Sequence, residues 1–222
     1  MSTIELVEAG GIAVVRMQRP VLALAVLDEL AAVLDSVAGA GRRQPLVLTS
    51  ADSRIFLAGA HLVEISALDR SSAGAYADRG RAVLSRLESA PGPTLAAIDG
   101  ACSGGGFDLA LTCDGVVASP RASFRHPGVI RGLVTGWSGT TRLPWMLGPA
   151  RARAAVLGAA ELRAADLRAS GVVLEISDDP VRGALEMARR LADADPWRLG
   201  CWRRLRHGRF VDRFRASVIH RC

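Results

Sequence analysis

The chain has 222 residues, half of them hydrophobic, and carries a net charge of +6 at pH 7, which suits one α/β core or one core with a short appendage. It has no uncharged apolar run of about eighteen residues, and Met1-Ser2-Thr3-Ile4-Glu5 has neither a basic nor an apolar leader pattern, so a cytoplasmic protein with no membrane partner is expected. Cys102, Cys113, Cys201 and Cys222 form no CxxC pair and show no ligand-like spacing with His61, His126, His207 or His220, so neither a disulfide framework nor a metal site is expected.

Thr3 to Val7 and Ile12 to Met17 read as a hairpin around Ala9-Gly10-Gly11, closed by Arg19-Pro20. Leu24 to Val37 has Leu27, Leu30, Ala31 and Leu34 at helical spacing. Leu46-Val47-Leu48-Thr49 reads as a buried strand, followed by a turn at Ala58-Gly59-Ala60. A helix is expected from about Ser72 to Ala90, ended by Pro91-Gly92-Pro93. Thr94 to Ile98 is another buried strand, Asp99 to Gly106 a glycine-dense loop, and Phe107 to Thr112 a helix. Short strands follow at Val116 to Ala118 and Ser123 to Arg125. Beyond Thr140 the pattern is mostly helical, with a strand-like break at Val172 to Glu175. Alternating strands and helices followed by helices imply an α/β core with a helical end.

Every basic side chain is Arg, and Arg198, Arg203, Arg204, Arg206, Arg209, Arg213, Arg215 and Arg221 crowd the last stretch against Asp212 alone. Such a tail reads as a solvated helix face, with a phosphate site as the alternative. Nucleic acid is an unlikely partner, because Trp197, Trp202, Phe210 and Phe214 sit in no recognised binding motif. Tyr76, the one tyrosine, lies on a helical stretch and reads as packing.

A strand that runs into Gly104-Gly105-Gly106 and then a helix leaves backbone N–H groups free at the positive end of the peptide dipoles. That is a place for an anion or oxyanion, and glycine supplies the backbone freedom and the close approach. The dinucleotide fingerprint fits poorly, since the G-x-G-x-x-G spacing and the acidic strand end are both missing.

The segment Thr94 to Asp114, with Asp99-Gly100-Ala101-Cys102-Ser103-Gly104-Gly105-Gly106-Phe107-Asp108 at its centre, resembles the signature of the enoyl-CoA hydratase/isomerase (crotonase) superfamily. Ile55-Phe56-Leu57-Ala58-Gly59-Ala60-His61-Leu62 resembles the family's F-x-A-G-A-D turn. Arg19-Pro20, Gly136 to Pro144, Arg151 to Ala154 and Ala164 to Val173 resemble further family segments in the same order. The resemblance implies a crotonase-like α/β spiral of ββα units over residues 1–195, with a truncated, Arg-rich helical segment over 196–222. It also implies an acyl-CoA substrate, coenzyme A being part of the substrate with no separate cofactor, and a homo-oligomer built as trimers or paired trimers.

Carried over by position, the N–H groups of Ala60 and Gly105 form an oxyanion hole for the thioester oxygen, and Ala58, Gly59, Leu62, Gly104, Pro127 and Gly128 line the substrate site. Asp108 stands where the family has its first catalytic glutamate, one methylene shorter. The second glutamate lines up with Gly128, so His61 and His126 are the candidates to supply acid/base chemistry near neutral pH. The expected function is an atypical acyl-CoA lyase or isomerase of the enoyl-CoA hydratase type that stabilises a thioester enolate. The alternative is an inactive acyl-CoA-binding or partner-binding homologue.

Overall fold

The structure is a computed structural model that describes residues 2–40, 43–193, 199–201 and 203. Its elements run β1 (Ile4–Ala9), β2 (Ile12–Met17), β3 (Val21–Leu22), α1 (Leu24–Gly39), β4 (Leu46–Ser50), β5 (Ile55–Leu57), β6 (Gly59–Ala60), α2 (Leu62–Ser66) and α3 (Ala73–Glu88). They continue with β7 (Thr94–Ile98), β8 (Ala101–Ser103), α4 (Gly105–Thr112), β9 (Gly115–Ala118) and β10 (Ser123–Arg125), then a 3-10 turn at Pro127–Arg131. Last come α5 (Gly139–Leu147), α6 (Pro149–Leu157), β11 (Leu162–Arg163), α7 (Ala164–Ala169), β12 (Val173–Ile176) and α8 (Pro180–Ala192).

Six strands form one sheet in the order β1-β2-β4-β7-β9-β12, and four form another in the order β11-β10-β8-β5. Successive strand pairs split between the two: β4, β7 and β9 enter the large sheet while β5, β8 and β10 enter the small one. This is a repeated β-β turn of a spiral, with α3 following the β4/β5 pair and α4 following the β7/β8 pair. The large sheet is parallel from β2 onward, so its central strands carry apolar side chains on both faces. Val47, Leu95 and Val117 meet Ala184 and Ala188 of α8, while Leu46, Leu48, Ala96 and Ile98 join the larger core shared with α1, α3 and α4. Edge strand β1 instead exposes Glu5 and Glu8, charges that discourage further strand pairing.

The short elements depart from the expectations. Gly59–Ala60 is not a free turn: it pairs in parallel with Val21–Leu22, and the Ala58 N–H donates to the Pro20 carbonyl at 2.7 Å. Asp99 to Gly106 is not one loop, because Ala101–Ser103 pairs with β5 on one side and β10 on the other, and the helix begins two residues earlier than Phe107. Strands of two or three residues have no periodicity of their own. Their neighbours create them.

Arg203 also departs from the reading of the Arg-rich stretch as a solvated face or phosphate site. Its Nε and Nη2 donate to Asp114 Oδ1 and Oδ2 at 2.9 and 2.6 Å, and Nη2 donates to the Gly92 carbonyl at 2.8 Å. Asp114 further accepts from the Thr94 N–H and hydroxyl, so Arg203 ties the end of the described chain to the core. The other tail arginines, Trp197, Trp202, Phe210, Phe214, His207, His220 and Cys222 lie outside the described residues.

Candidate active site

Strand β8 delivers the chain to Gly104, whose φ of 52° lies in the region that glycine tolerates. Gly104 N–H donates to the Arg125 carbonyl at 2.9 Å, and its own carbonyl accepts from Phe107 and Asp108 as α4 starts. Gly59, with φ 100°, faces this turn so closely that a Cβ there would lie 3.0 Å from the Ser103 carbonyl and 3.1 Å from Gly105 N. The two glycine turns therefore abut. Gly105 is helical, so its need for glycine is not conformational: a Cβ would meet the Trp137 ring at 2.2 Å, and one at Gly80 would meet the same ring from α3 at 2.0 Å. Two missing side chains make the slot for one indole, which stacks on Tyr76 at 6.0 Å.

Ala58, Gly59, Ala60, His61, Leu62, Gly104, Gly105, Asp108, His126, Pro127 and Gly128 all fall in the wall of one cavity of about 650 Å³. Val21, Ile65, Leu68, Tyr76, Val134 and Val156 line it as well, giving the mostly apolar concavity with few polar groups that small-molecule sites favour.

Asp108 is fully buried and His126 nearly so, at 0 and 4% exposure. Asp108 Oδ1 lies 3.5 Å from His126 Nε2, yet neither atom makes a hydrogen bond. Burial pushes the Asp108 carboxyl up to about 7, against the opposing pull of the Thr135 hydroxyl and the Gly139 N–H, and pushes His126 down to about 4. At neutral pH the pair can hold one proton and no net charge. Phe107 stacks on the imidazole at 5.2 Å, fixing its plane. Asp108 is thus no surface partner of its own helix dipole; its carboxyl points to the start of α5, where a Cβ on Gly139 would lie 2.5 Å from Oδ1 and 2.8 Å from His126 Nε2.

His61 sits apart from this pair in its bonding. It caps α2, its Nδ1 accepting from the Glu64 N–H at 3.4 Å, while Glu64 accepts from the Leu24 N–H at 2.9 Å. Gly128 leaves no room for the absent carboxylate: a Cβ there would lie 2.9 Å from the Leu133 carbonyl.

Three residues of the site were assigned no role from the sequence, although Trp137 and Gly139 fall in the Gly136 to Pro144 segment that resembles the family; Thr135 lies just outside it. Thr135 donates its hydroxyl to Asp108 Oδ2, Gly139 covers Oδ1, and Trp137 wedges against Gly105. Tyr76 is packed as expected, at 8% exposure, but it also borders the cavity, and burial pushes its hydroxyl up to about 12. Among the described residues, no group of three or more His, Cys, Asp or Glu side chains could hold a metal ion, and no helix is long and apolar enough to cross a membrane.

Residues 8–201 match the family model described as enoyl-CoA hydratase/isomerase. The chain is 30% identical over 227 residues to a probable enoyl-CoA hydratase of Bacillus subtilis, covering 98% of this chain and 87% of that protein. It is 31% identical over 176 residues to the mitochondrial methylglutaconyl-CoA hydratase of Rattus norvegicus, covering 77% of this chain and 56% of the relative, so the chain spans about half the length of that protein. Among solved structures, an enoyl-CoA hydratase/carnithine racemase from Magnetospirillum magneticum superposes with a TM-score of 0.86 at 26% identity, covering all of this chain and 87% of that one. An enoyl-CoA hydratase from Bacillus anthracis gives a TM-score of 0.82 at 27% identity, with coverages of 88 and 78%.

Proposed function

Because the chain belongs to the enoyl-CoA hydratase/isomerase (crotonase) family, we propose that its cavity binds an acyl-CoA thioester and that Asp108 handles the proton on the acyl chain. In this reading the thioester carbonyl lies between the Ala60 and Gly105 N–H groups, coenzyme A enters as part of the substrate, and no separate cofactor takes part. Charge that builds on the oxygen as the enolate forms is met by two preorganised donors, each of which is worth roughly 3 to 4 kcal/mol in comparable sites. A homo-oligomer, a trimer or a pair of trimers, belongs to the same reading; the mass of the protein in solution tests it.

The observation that carries the proposal is the buried Asp108 carboxyl, raised to about 7, in the wall of the same cavity as both glycine turns. A group poised near the working pH can both take and return a proton. His126 supports it as the neutral neighbour that bears no competing charge. His61 is assigned to the rim, since its Nδ1 is used in capping α2.

The glycine at 128 favours a second reading, an acyl-CoA-binding homologue without turnover. One experiment separates them: wild type and Asp108→Asn are incubated with crotonyl-CoA, a 3-enoyl-CoA and a malonyl-type CoA, products are followed by mass spectrometry, and binding is measured in parallel. Turnover of at least one ester that falls about 100-fold or more in the variant, with binding retained, supports the enzyme. Saturable binding without turnover by wild type sinks it in favour of the second reading.

A further inference from the structure

Asp108 is one methylene shorter than a glutamate, and although it borders the cavity its carboxyl is almost wholly covered. Only 1% of its side chain is exposed. Gly139 and His126 cover Oδ1, and Oδ2 accepts the Thr135 hydroxyl. Thr135 itself is only partly buried and stands in the cavity wall. The Thr135 Oγ1 accepts from the Trp137 N–H at 3.4 Å, which leaves a lone pair on a hydroxyl whose hydrogen is committed to Asp108.

Resting on the acyl-CoA reading above, we propose that Thr135 is a catalytic residue that relays protons between the buried Asp108 and water in the cavity, so that one carboxyl serves both halves of an enoyl-thioester hydration. In the first half, water oxygen bonds to the β carbon and the C=C electron pair moves to the thioester as enolate. The proton lost by water passes to Thr135 Oγ1 as the Thr135 hydroxyl proton passes to Asp108 Oδ2. In the second half the enolate pair forms a C–H bond at the α carbon, the proton returning from Asp108 through Thr135. Water supplies both the hydroxyl and the hydrogen added, and Asp108 and Thr135 end as they began. A single relay on one face delivers both groups to that face, and no carboxylate is needed at Gly128.

The test compares wild type, Thr135→Val and Thr135→Ser with crotonyl-CoA, reading kcat, KM and the stereochemistry of hydration in deuterium oxide. Valine keeps the shape and removes the hydroxyl, so kcat is expected to fall about 100-fold or more with KM within about threefold, while serine stays within about tenfold of wild type. Wild type is expected to add the deuterium and the oxygen to the same face. If valine retains wild-type kcat, or serine is as impaired as valine although both melt as wild type does, the relay is wrong while the acyl-CoA reading stands. Failure of wild type to hydrate crotonyl-CoA overturns the relay as well, and failure to bind it sinks the acyl-CoA reading beneath it.

Discussion

Asp108 Oδ1 and His126 Nε2 lie 3.5 Å apart with 1 and 4% of their side chains exposed, so two groups that would normally carry opposite charges share one dry compartment. Separating a full charge on either from water is costly, and a single proton held by the pair avoids it.

The pair makes a specific signature in stability against pH. Asp108, raised to about 7, contributes stability that is present below about 3.8 and lost as pH rises towards 7; His126, lowered to about 4, contributes stability that is present above 6.5 and lost as pH falls towards 4. Between about pH 4 and 6.5 the unfolded pair holds one proton, on His, and the folded pair also holds one, so the two slopes cancel. Asp108→Asn removes the first slope only. Its unfolding free energy relative to wild type should rise by about 3 kcal/mol across that window, measured by urea denaturation at several pH values. A pH-independent difference would show that the two groups are not buried as a pair.

Gly139→Ala is expected to damage the site more than the fold. The new methyl would lie 2.5 Å from Asp108 Oδ1 and 2.8 Å from His126 Nε2, and neither buried group can swing into solvent. Turnover should drop at least about tenfold, with a stability loss of about 1 to 3 kcal/mol. Steady-state kinetics beside thermal melting checks both.

Restoring a carboxylate at Gly128 should not improve the enzyme. The Cβ would lie 2.9 Å from the Leu133 carbonyl, and Leu133 donates its own N–H to the Gly128 carbonyl at 2.9 Å, so the added side chain must displace the backbone of the 3-10 turn. Gly128→Glu is expected to lose about 1 to 3 kcal/mol of stability and gain no hydration rate. A gain in rate with an unchanged melt would contradict this.

Arg203→Ala removes the guanidinium that pairs with Asp114 while leaving Asp114 with its Thr94 bonds. Loss of the charge-assisted bonds to a carboxylate at 2% exposure should lower stability by roughly 1.5 to 3 kcal/mol. The difference in urea midpoint between wild type and variant measures it.

Much of the frame was readable in the residues. The large-sheet strands β2, β4 and β7 announce themselves as apolar runs such as Leu46-Val47-Leu48, and α1 by the spacing of Leu27, Leu30 and Leu34. The two glycine segments and Asp108 stood out because their flanking motifs agree. What could not be read depends on contacts between distant segments: β3 and β6 exist only as each other's partners, Thr135 acquires its bond to Asp108 across 27 residues, and the glycine at 105 answers to Trp137 rather than to its own backbone. In the sequence Arg203 is one more charge in a basic tail, and its partner Asp114 lies 89 residues away.

The most direct test of Asp108 as the proton-handling group is exchange of the α hydrogens of a saturated acyl-CoA, butyryl-CoA, in deuterium oxide, followed by mass spectrometry for wild type and Asp108→Asn at equal bound fraction. Enolate formation in the cavity predicts deuterium uptake by wild type that slows about 100-fold or more in the variant. Uptake at the same rate in both proteins would contradict the account.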